Sequence, residues 1–150
     1  FEPHKSFIQL YREKNLTIQN LANLKCNWKN RRLIFLNICD GATTSLSNSP
    51  VSIGIGHYLV HGQQSLLSHL WPIQPGAAMV IACLIAAFVG PDKTYIEIYS
   101  QAIQTFRKGN SETLAFFRSF ISNNEIVERL ENISFDFKNF YYWASLTLLQ

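Results

Sequence analysis

The residues of this chain best suited to chemistry are a cysteine and an aspartate at adjacent positions. Cys39 and Asp40 follow the apolar run 33–38 and precede Gly41, which allows the backbone to turn. A deprotonated thiol is a strong nucleophile, and a strand end beside a turn can present it to a substrate. The alternative is structural, because free cysteine is among the most buried residue types and Cys39 would then end a core strand.

The histidines are the other candidates for acid–base or metal chemistry. His57 and His61 are four residues apart and would share one face of a helix, a spacing also used by zinc ligands. No third ligand accompanies them, so we expect no metal and no cofactor. His4 is interpreted as a surface residue, although it could approach Cys39. His69 lies in a second apolar segment, where it either lines a pocket or faces the core.

Two short apolar segments would position the thiol. The run 33–38 is too short for a helix and predicts a strand buried on both faces, as in a parallel sheet. Residues 65–71, ended by Pro72, predict a second buried strand. In open α/β sheets ligands bind in the crevice outside the carboxyl ends of the strands. Cys39 comes directly after such an end.

The remaining pattern predicts helices separated by turns. We expect a strand at 7–11, a helix at 17–24 capped by Thr17, a surface loop at 41–50, helices at 51–61, 75–90, 95–106, 111–122 and 125–131, and a strand at 142–149. This order predicts an α/β layer fold around a mostly parallel sheet. A first strand at an unusual place in that order suggests that the domain is incomplete at its amino end.

Composition narrows the possible partners. Hydrophobic residues make up 47% and charged residues 15% of the 150-residue chain, as in a globular domain. The net charge of +3 and the lack of long Lys or Arg runs give no support to direct nucleic-acid binding. The uncharged stretch 76–90 is shorter than the roughly 20 residues of a membrane span. Three cysteines without scaffold spacing indicate a reducing, cytoplasmic environment.

Four stretches resemble one family when taken together. Leu-Ile-Phe-Leu-Asn-Ile-Cys-Asp-Gly at 33–41 is similar to the nucleophile strand and turn of CHAT-domain peptidases, the caspase-like cysteine proteases often fused to TPR repeats. The helix-like segment 54–62, Ser-His-Leu-Trp-Pro at 68–72 and Tyr-Tyr-Trp-Ala-Ser at 141–145 resemble later motifs of that family in the same order. The resemblance covers nearly the whole chain.

This resemblance implies a fold and an activity. The fold would be a caspase-like three-layer sandwich, a mostly parallel sheet flanked by helices, with residues 1–150 forming the C-terminal portion of a single domain. The activity would be that of a cysteine endopeptidase with Cys39 as nucleophile, acting on a protein substrate under the control of a regulatory or sensor partner such as TPR repeats. The family's catalytic His-Gly would lie just before Phe1.

The same resemblance suggests substrate-binding residues. Asp40 would contact a basic side chain at the cleaved bond, or else hold the turn. Ser68 and His69 would line the substrate cleft. The chain departs from the family pattern where Asn-Ile replaces Ser-Ala before the cysteine and where the turn glycine comes one place early. The alternative function is a non-catalytic scaffold module of a larger signalling or defence protein.

Overall fold

The computed structural model describes residues 7–9, 14–23, 32–38, 45–46, 52–53, 56, 59–60 and 64–150. These residues form a mixed α/β structure. Its strands are β1 (Phe7–Gln9), β2 (Asn15–Thr17), β3 (Arg32–Leu36), β4 (Ser45–Leu46), β5 (Ser52–Ile53), β6 (Gln64–His69) and β7 (Leu146–Leu149). Its helices are α1 (Ile18–Asn23), α2 (Pro75–Phe88), α3 (Tyr95–Arg107), α4 (Asn110–Phe120), α5 (Asn124–Glu131) and α6 (Phe140–Trp143).

The chain divides into two compact units. Unit 1 comprises Phe1–Trp71 and Thr147–Gln150, and unit 2 comprises Pro72–Leu146. In the described part of the chain, no helix combines the length and the apolar character needed to cross a membrane.

A three-stranded sheet in the order β3-β6-β7 organises unit 1. β3 and β6 are parallel, in a register that runs from Arg32 opposite Gln64 to Leu36 opposite Ser68. All six residues of the central strand β6 are buried, whereas the described side chains of β3 are half-buried. Both predicted strands and their parallel pairing are therefore confirmed. Burial on both faces was predicted for both strands; it is confirmed for β6 and wrong for β3.

The cap predicted at Thr17 is confirmed. Thr17 ends β2, and its hydroxyl oxygen accepts the amide N–H of Asn20 at 3.1 Å. The Asn20 side-chain oxygen accepts the amide N–H of Thr17 at 3.0 Å in return. This reciprocal pair satisfies two amide groups at the start of α1, where helical partners are lacking.

Two predictions in the segment after Cys39 are wrong in part. Ser52 and Ile53, predicted as helical, pair antiparallel with Ser45 and Leu46, predicted as loop. Cross-strand backbone bonds decide these short strands, and the side-chain spacing of one segment does not reveal them. Gly56 and Leu59 are helical, in agreement with the predicted helix. Val60 is not helical, although its amide N–H donates to the Gly56 carbonyl at 3.1 Å. The remaining residues of 41–50 and 51–61 lie outside the described ones.

The chain end also differs from the prediction. Tyr142 and Trp143, predicted as the start of a strand, belong to α6, and β7 begins only at Leu146. The reason is a cap: the Asn139 side chain accepts the amide N–H of Tyr141 at 2.9 Å and starts a helical turn. Aromatic composition favours a strand here, but the local cap prevails over that preference.

The predicted helices of unit 2 are confirmed. Pro75 occupies the first turn of α2, where its missing N–H costs nothing. One apolar face of α3 is buried through Ile98, Ala102, Ile103 and Phe106. A capping box that the sequence reading missed starts this helix: Glu97 donates its amide N–H to the Thr94 hydroxyl, and its carboxylate accepts the Thr94 amide.

Asn110 joins α4 to the loop before α6. Its side-chain amide donates to the Phe135 carbonyl at 2.8 Å, and its side-chain oxygen accepts the Phe137 amide N–H at 2.8 Å. The loop thereby places the buried ring of Phe137 against Phe106, with ring centroids 5.0 Å apart. One asparagine thus satisfies two backbone groups that flank the core.

We expect Asn110→Ala to lower the free energy of unfolding by about 2 kcal/mol, because it leaves both backbone groups without a partner. Urea titration followed by circular dichroism measures this change. Asn124→Ala, at an exposed position in the first turn of α5, is the matched control and should change the value by less than about 0.5 kcal/mol. An equal loss in both variants would contradict a bridging role for Asn110.

Candidate functional site

The described part of the candidate site is the place where β3 and β6 end side by side. Leu36 and Ser68 lie opposite each other in the parallel register. The Ser68 hydroxyl donates to the Leu36 carbonyl oxygen at 2.7 Å, so a side chain of β6 holds the last backbone carbonyl of β3. Ser68 is fully buried. This bond ties the ends of the two strands together.

The next pair of residues is joined by side chains. His69 Nε2 lies 2.9 Å from Oδ1 of Asn37. An amide oxygen only accepts, so the imidazole donates through Nε2, and in the neutral ring Nδ1 then carries the lone pair. This tautomer is assigned from the hydrogen bond. The arrangement therefore holds a neutral imidazole, with a defined donor, beside the end of β3.

Burial controls the charge of this imidazole. His69 is only 1% exposed. Desolvation lowers its pKa from 6.5 to about 4, because the charged ring would lose its contact with water. The ring is thus neutral at neutral pH.

A tight turn of the backbone ends β3 at Leu36, three residues before Cys39 in the sequence. The Ile38 amide N–H donates to the Leu36 carbonyl at 2.9 Å, which makes a tight turn centred on Asn37. The Asn37 residue is exposed, whereas the histidine that donates to it is buried. Cys39 comes two residues after Asn37 in the sequence.

Several predicted residues lie outside the described part of the chain. These are the proposed nucleophile and its neighbour, Cys39 and Asp40, together with Cys26, His4, His57 and His61. Of the predicted site residues, the structure describes Ser68 and His69, and it brings both against the end of β3. Their role in substrate binding stays a prediction, and their buried hydrogen bonds show that both support the sheet.

The sequence reading missed Asn37 as a member of this site. A signal was present, since Asn37 is the polar residue in an otherwise apolar run and one of the departures from the family pattern. Its partner could not be identified from the sequence, because the pairing depends on the register of strands that are 32 residues apart. A polar residue inside an apolar run therefore indicates that its side chain has a hydrogen-bond partner in the folded protein.

The described residues offer no alternative centre. Among them, no three His, Cys, Asp or Glu side chains come together in a way that would hold a metal ion. Cys83 is half-buried in α2, and burial raises the pKa of its thiol, which disfavours the reactive thiolate at neutral pH.

The histidine gives a testable pH dependence. The folded-state pKa of His69 is below that of the unfolded chain, so the unfolded state takes up the proton first as the pH falls. The stabilising effect of the neutral ring is full above the unfolded value of 6.5 and is lost as the pH falls towards about 4. Between pH 7 and pH 4, the free energy of unfolding should fall by about 2–3 kcal/mol more in the native protein than in His69→Gln.

Urea titrations at both pH values measure the two decreases. The glutamine variant keeps a side-chain donor for Asn37 but has no titrating group, so it corrects for the carboxylates. Equal decreases in both proteins would contradict a depressed pKa at His69.

In comparisons with known proteins, neither a protein family nor a curated protein nor a solved structure was found to match this chain.

Proposed function

We propose that this chain is the C-terminal part of a caspase-like cysteine endopeptidase domain, in which Cys39 is the nucleophile. The proposal includes a three-layer sandwich with a mostly parallel sheet and a single domain that comprises both units. The substrate is a protein, and a regulatory or sensor partner, such as TPR repeats in the same protein, controls access to it. A reducing, cytoplasmic setting keeps the thiol free.

One observation carries this proposal: β3 and β6 are parallel and in register up to Leu36 and Ser68, three residues before Cys39 in the sequence. The carboxyl ends of parallel strands in open α/β sheets border the crevice in which ligands bind. Ser68 and His69, the expected cleft residues, end the neighbouring strand. The resemblance implies that this neighbouring strand runs along the substrate cleft.

The chemistry follows from a thiolate next to a substrate carbonyl. The Cys39 sulfur attacks the carbonyl carbon of the scissile peptide bond, and a tetrahedral oxyanion forms. Backbone N–H groups, by the resemblance those of Cys39 and of the glycine after the catalytic histidine, stabilise this oxyanion. The C–N bond breaks, and the imidazolium that received the thiol proton donates it to the leaving amine. Water then hydrolyses the thioester and releases the thiol.

The resemblance assigns the base to a histidine just before Phe1. The described His69 is the wrong choice for this role on physical grounds. Its Nε2 is engaged with Asn37, and its depressed pKa makes it a weak acceptor of the thiol proton. We therefore assign to His69 the positioning of Asn37 at the end of β3, and its expected place in the lining of the cleft stays a prediction. For Asp40 we propose that its carboxylate contacts a basic side chain of the substrate.

Covalent labelling tests the nucleophile. A biotinylated peptidyl acyloxymethyl ketone with lysine next to the warhead is incubated with the full-length protein, with and without its partner. We expect labelling at Cys39, complete loss in Cys39→Ala, and unchanged labelling in Cys83→Ala. Asp40→Asn should slow labelling by about tenfold, because a charged contact with the lysine is lost. The probe with norleucine in place of lysine is the control for Asp40 and should be unaffected by that variant.

Absence of labelling at Cys39 in the presence of the activating partner would overturn the peptidase proposal. Equal labelling of Cys39 and Cys83 would have the same consequence, because it would show ordinary thiol reactivity. The non-catalytic scaffold module would then be the function that fits.

A further inference from the structure

Three cationic residues converge where α3 meets α4. Arg107 ends α3, Lys108 follows it, and Lys138 comes from the loop before α6. The Lys138 side chain crosses Gly109, since a Cβ atom at that position would lie 2.7 Å from Lys138 Cε. All three cationic residues are exposed. We call Arg107, Lys108 and Lys138 the basic patch.

Arg107 is held in a fixed orientation. Its guanidinium carbon lies 4.4 Å from the centre of the Trp143 ring. The Trp143 indole N–H donates to the Lys138 carbonyl at 3.2 Å, which in turn fixes the ring. An arginine stacked on an aromatic face keeps the N–H groups at its edge for a bidentate acceptor. Because the Arg107 side chain is already ordered, less conformational entropy is lost when a ligand binds.

Lys138 is also placed by its surroundings. Gly109 has a φ of 103°, in the region that favours glycine, and it lacks the side chain that would displace the lysine stem. The aliphatic part of the Lys138 side chain therefore covers the buried Gly109. Lys138 is exposed, so its ammonium group lies in water. Packing therefore positions both Arg107 and Lys138.

The basic patch has no carboxylate partner within the described residues. Elsewhere in unit 2, Arg118 lies 2.8 Å from Glu131, and Arg129 lies 2.6 Å from Glu125. These pairs show that cations of this unit find carboxylates where such groups are in reach. None of the three patch residues takes part in an ion pair in the part of the chain that the structure describes.

Two carboxylates occur close by in the sequence. Asp136 is engaged in the turn, since its side chain accepts the amide N–H of Lys138 at 2.9 Å. Glu112 lies in the first turn of α4 and interacts favourably with that helix end. The three cations of the patch outnumber these two acidic residues, so the surface keeps a net positive charge.

An exposed aromatic ring borders the patch. Phe140 is 63% exposed and stands edge-on to Trp143, with ring centroids 5.4 Å apart. Phenylalanine, tryptophan and arginine are enriched in protein–protein interfaces relative to the rest of the surface. The surface therefore combines two charge contacts with one apolar contact.

We propose that the basic patch, with Trp143 and Phe140, is a docking surface for an acidic peptide segment of a partner protein. A carboxylate of that segment meets the edge of Arg107, a second one meets Lys138, and an apolar side chain packs on Phe140. Carboxylate is the acceptor that a stacked arginine binds with two parallel hydrogen bonds. This inference does not depend on the peptidase activity.

A short acidic segment fits this surface better than nucleic acid does. Nucleic-acid affinity comes from many phosphate contacts along an extended basic surface. This chain has a net charge of only +3, and its basic patch is limited to one corner of unit 2. A peptide needs only the few fixed contacts found here.

Fluorescence anisotropy with a fluorescein-labelled peptide of alternating glutamate and leucine tests the proposal. We expect Arg107→Gln/Lys138→Gln to weaken binding by about tenfold, because two charge-assisted contacts are lost. Arg118→Gln/Arg129→Gln removes the same charge away from the patch and should weaken binding less than about twofold. Lys108→Gln, at an exposed position, should weaken it by about threefold, and Phe140→Ala by a similar factor.

Circular dichroism checks that every variant is folded. An equal loss of affinity in both double variants would overturn the proposal, because net charge alone would then explain binding. Tighter binding of an oligothymidylate than of the peptide would assign the patch to nucleic acid instead. Absence of peptide binding up to about 1 mM at low salt would also contradict it. None of these outcomes depends on whether Cys39 is a nucleophile.

Discussion

Unit 1 depends on the burial of its central strand, β6. Four of its six positions carry polar side chains, Gln64, Ser65, Ser68 and His69, and all are buried. A buried polar group without a partner costs about as much as the hydrogen bond it lacks. The sheet therefore requires partners at defined places. Ser68 finds one in the backbone of β3 and His69 finds one in Asn37.

The same hydrogen bonds fix the register of the two strands and the geometry of the candidate site. In a parallel pair a slip of one residue would turn Ser68 and His69 to the opposite faces and separate both from the end of β3. Apolar contacts alone would tolerate such a slip more readily than paired polar groups do. The polar residues at the end of β6 thus specify where β3 ends, and the position of the residues that follow β3 depends on them.

Local signals were enough for much of the fold. The readable signals are the cap at Thr17, Pro75 in a first helical turn, the apolar spacing of α3 and the two apolar runs. Each of them depends on residues within one or two turns of the chain. The errors have a common cause. β4 and β5 exist through pairing across a connection, and α6 depends on a cap that competes with aromatic strand preference. Asn37 could be noticed as an unusual residue, but its partnership with His69 required the three-dimensional register.

The distance in sequence between β3 and β6 has a consequence for the order of folding. Their contacts join residues 32 positions apart, whereas α3 and α4 of unit 2 are joined through neighbours such as Thr105 and Thr113, which are eight positions apart. Contacts between distant residues form later, because the entropy of closing the intervening loop must be overcome first. The α3–α4 pair can therefore form while the parallel pair is still open. In a folding chain, α3 and α4 would then pack together before the ends of β3 and β6 come side by side.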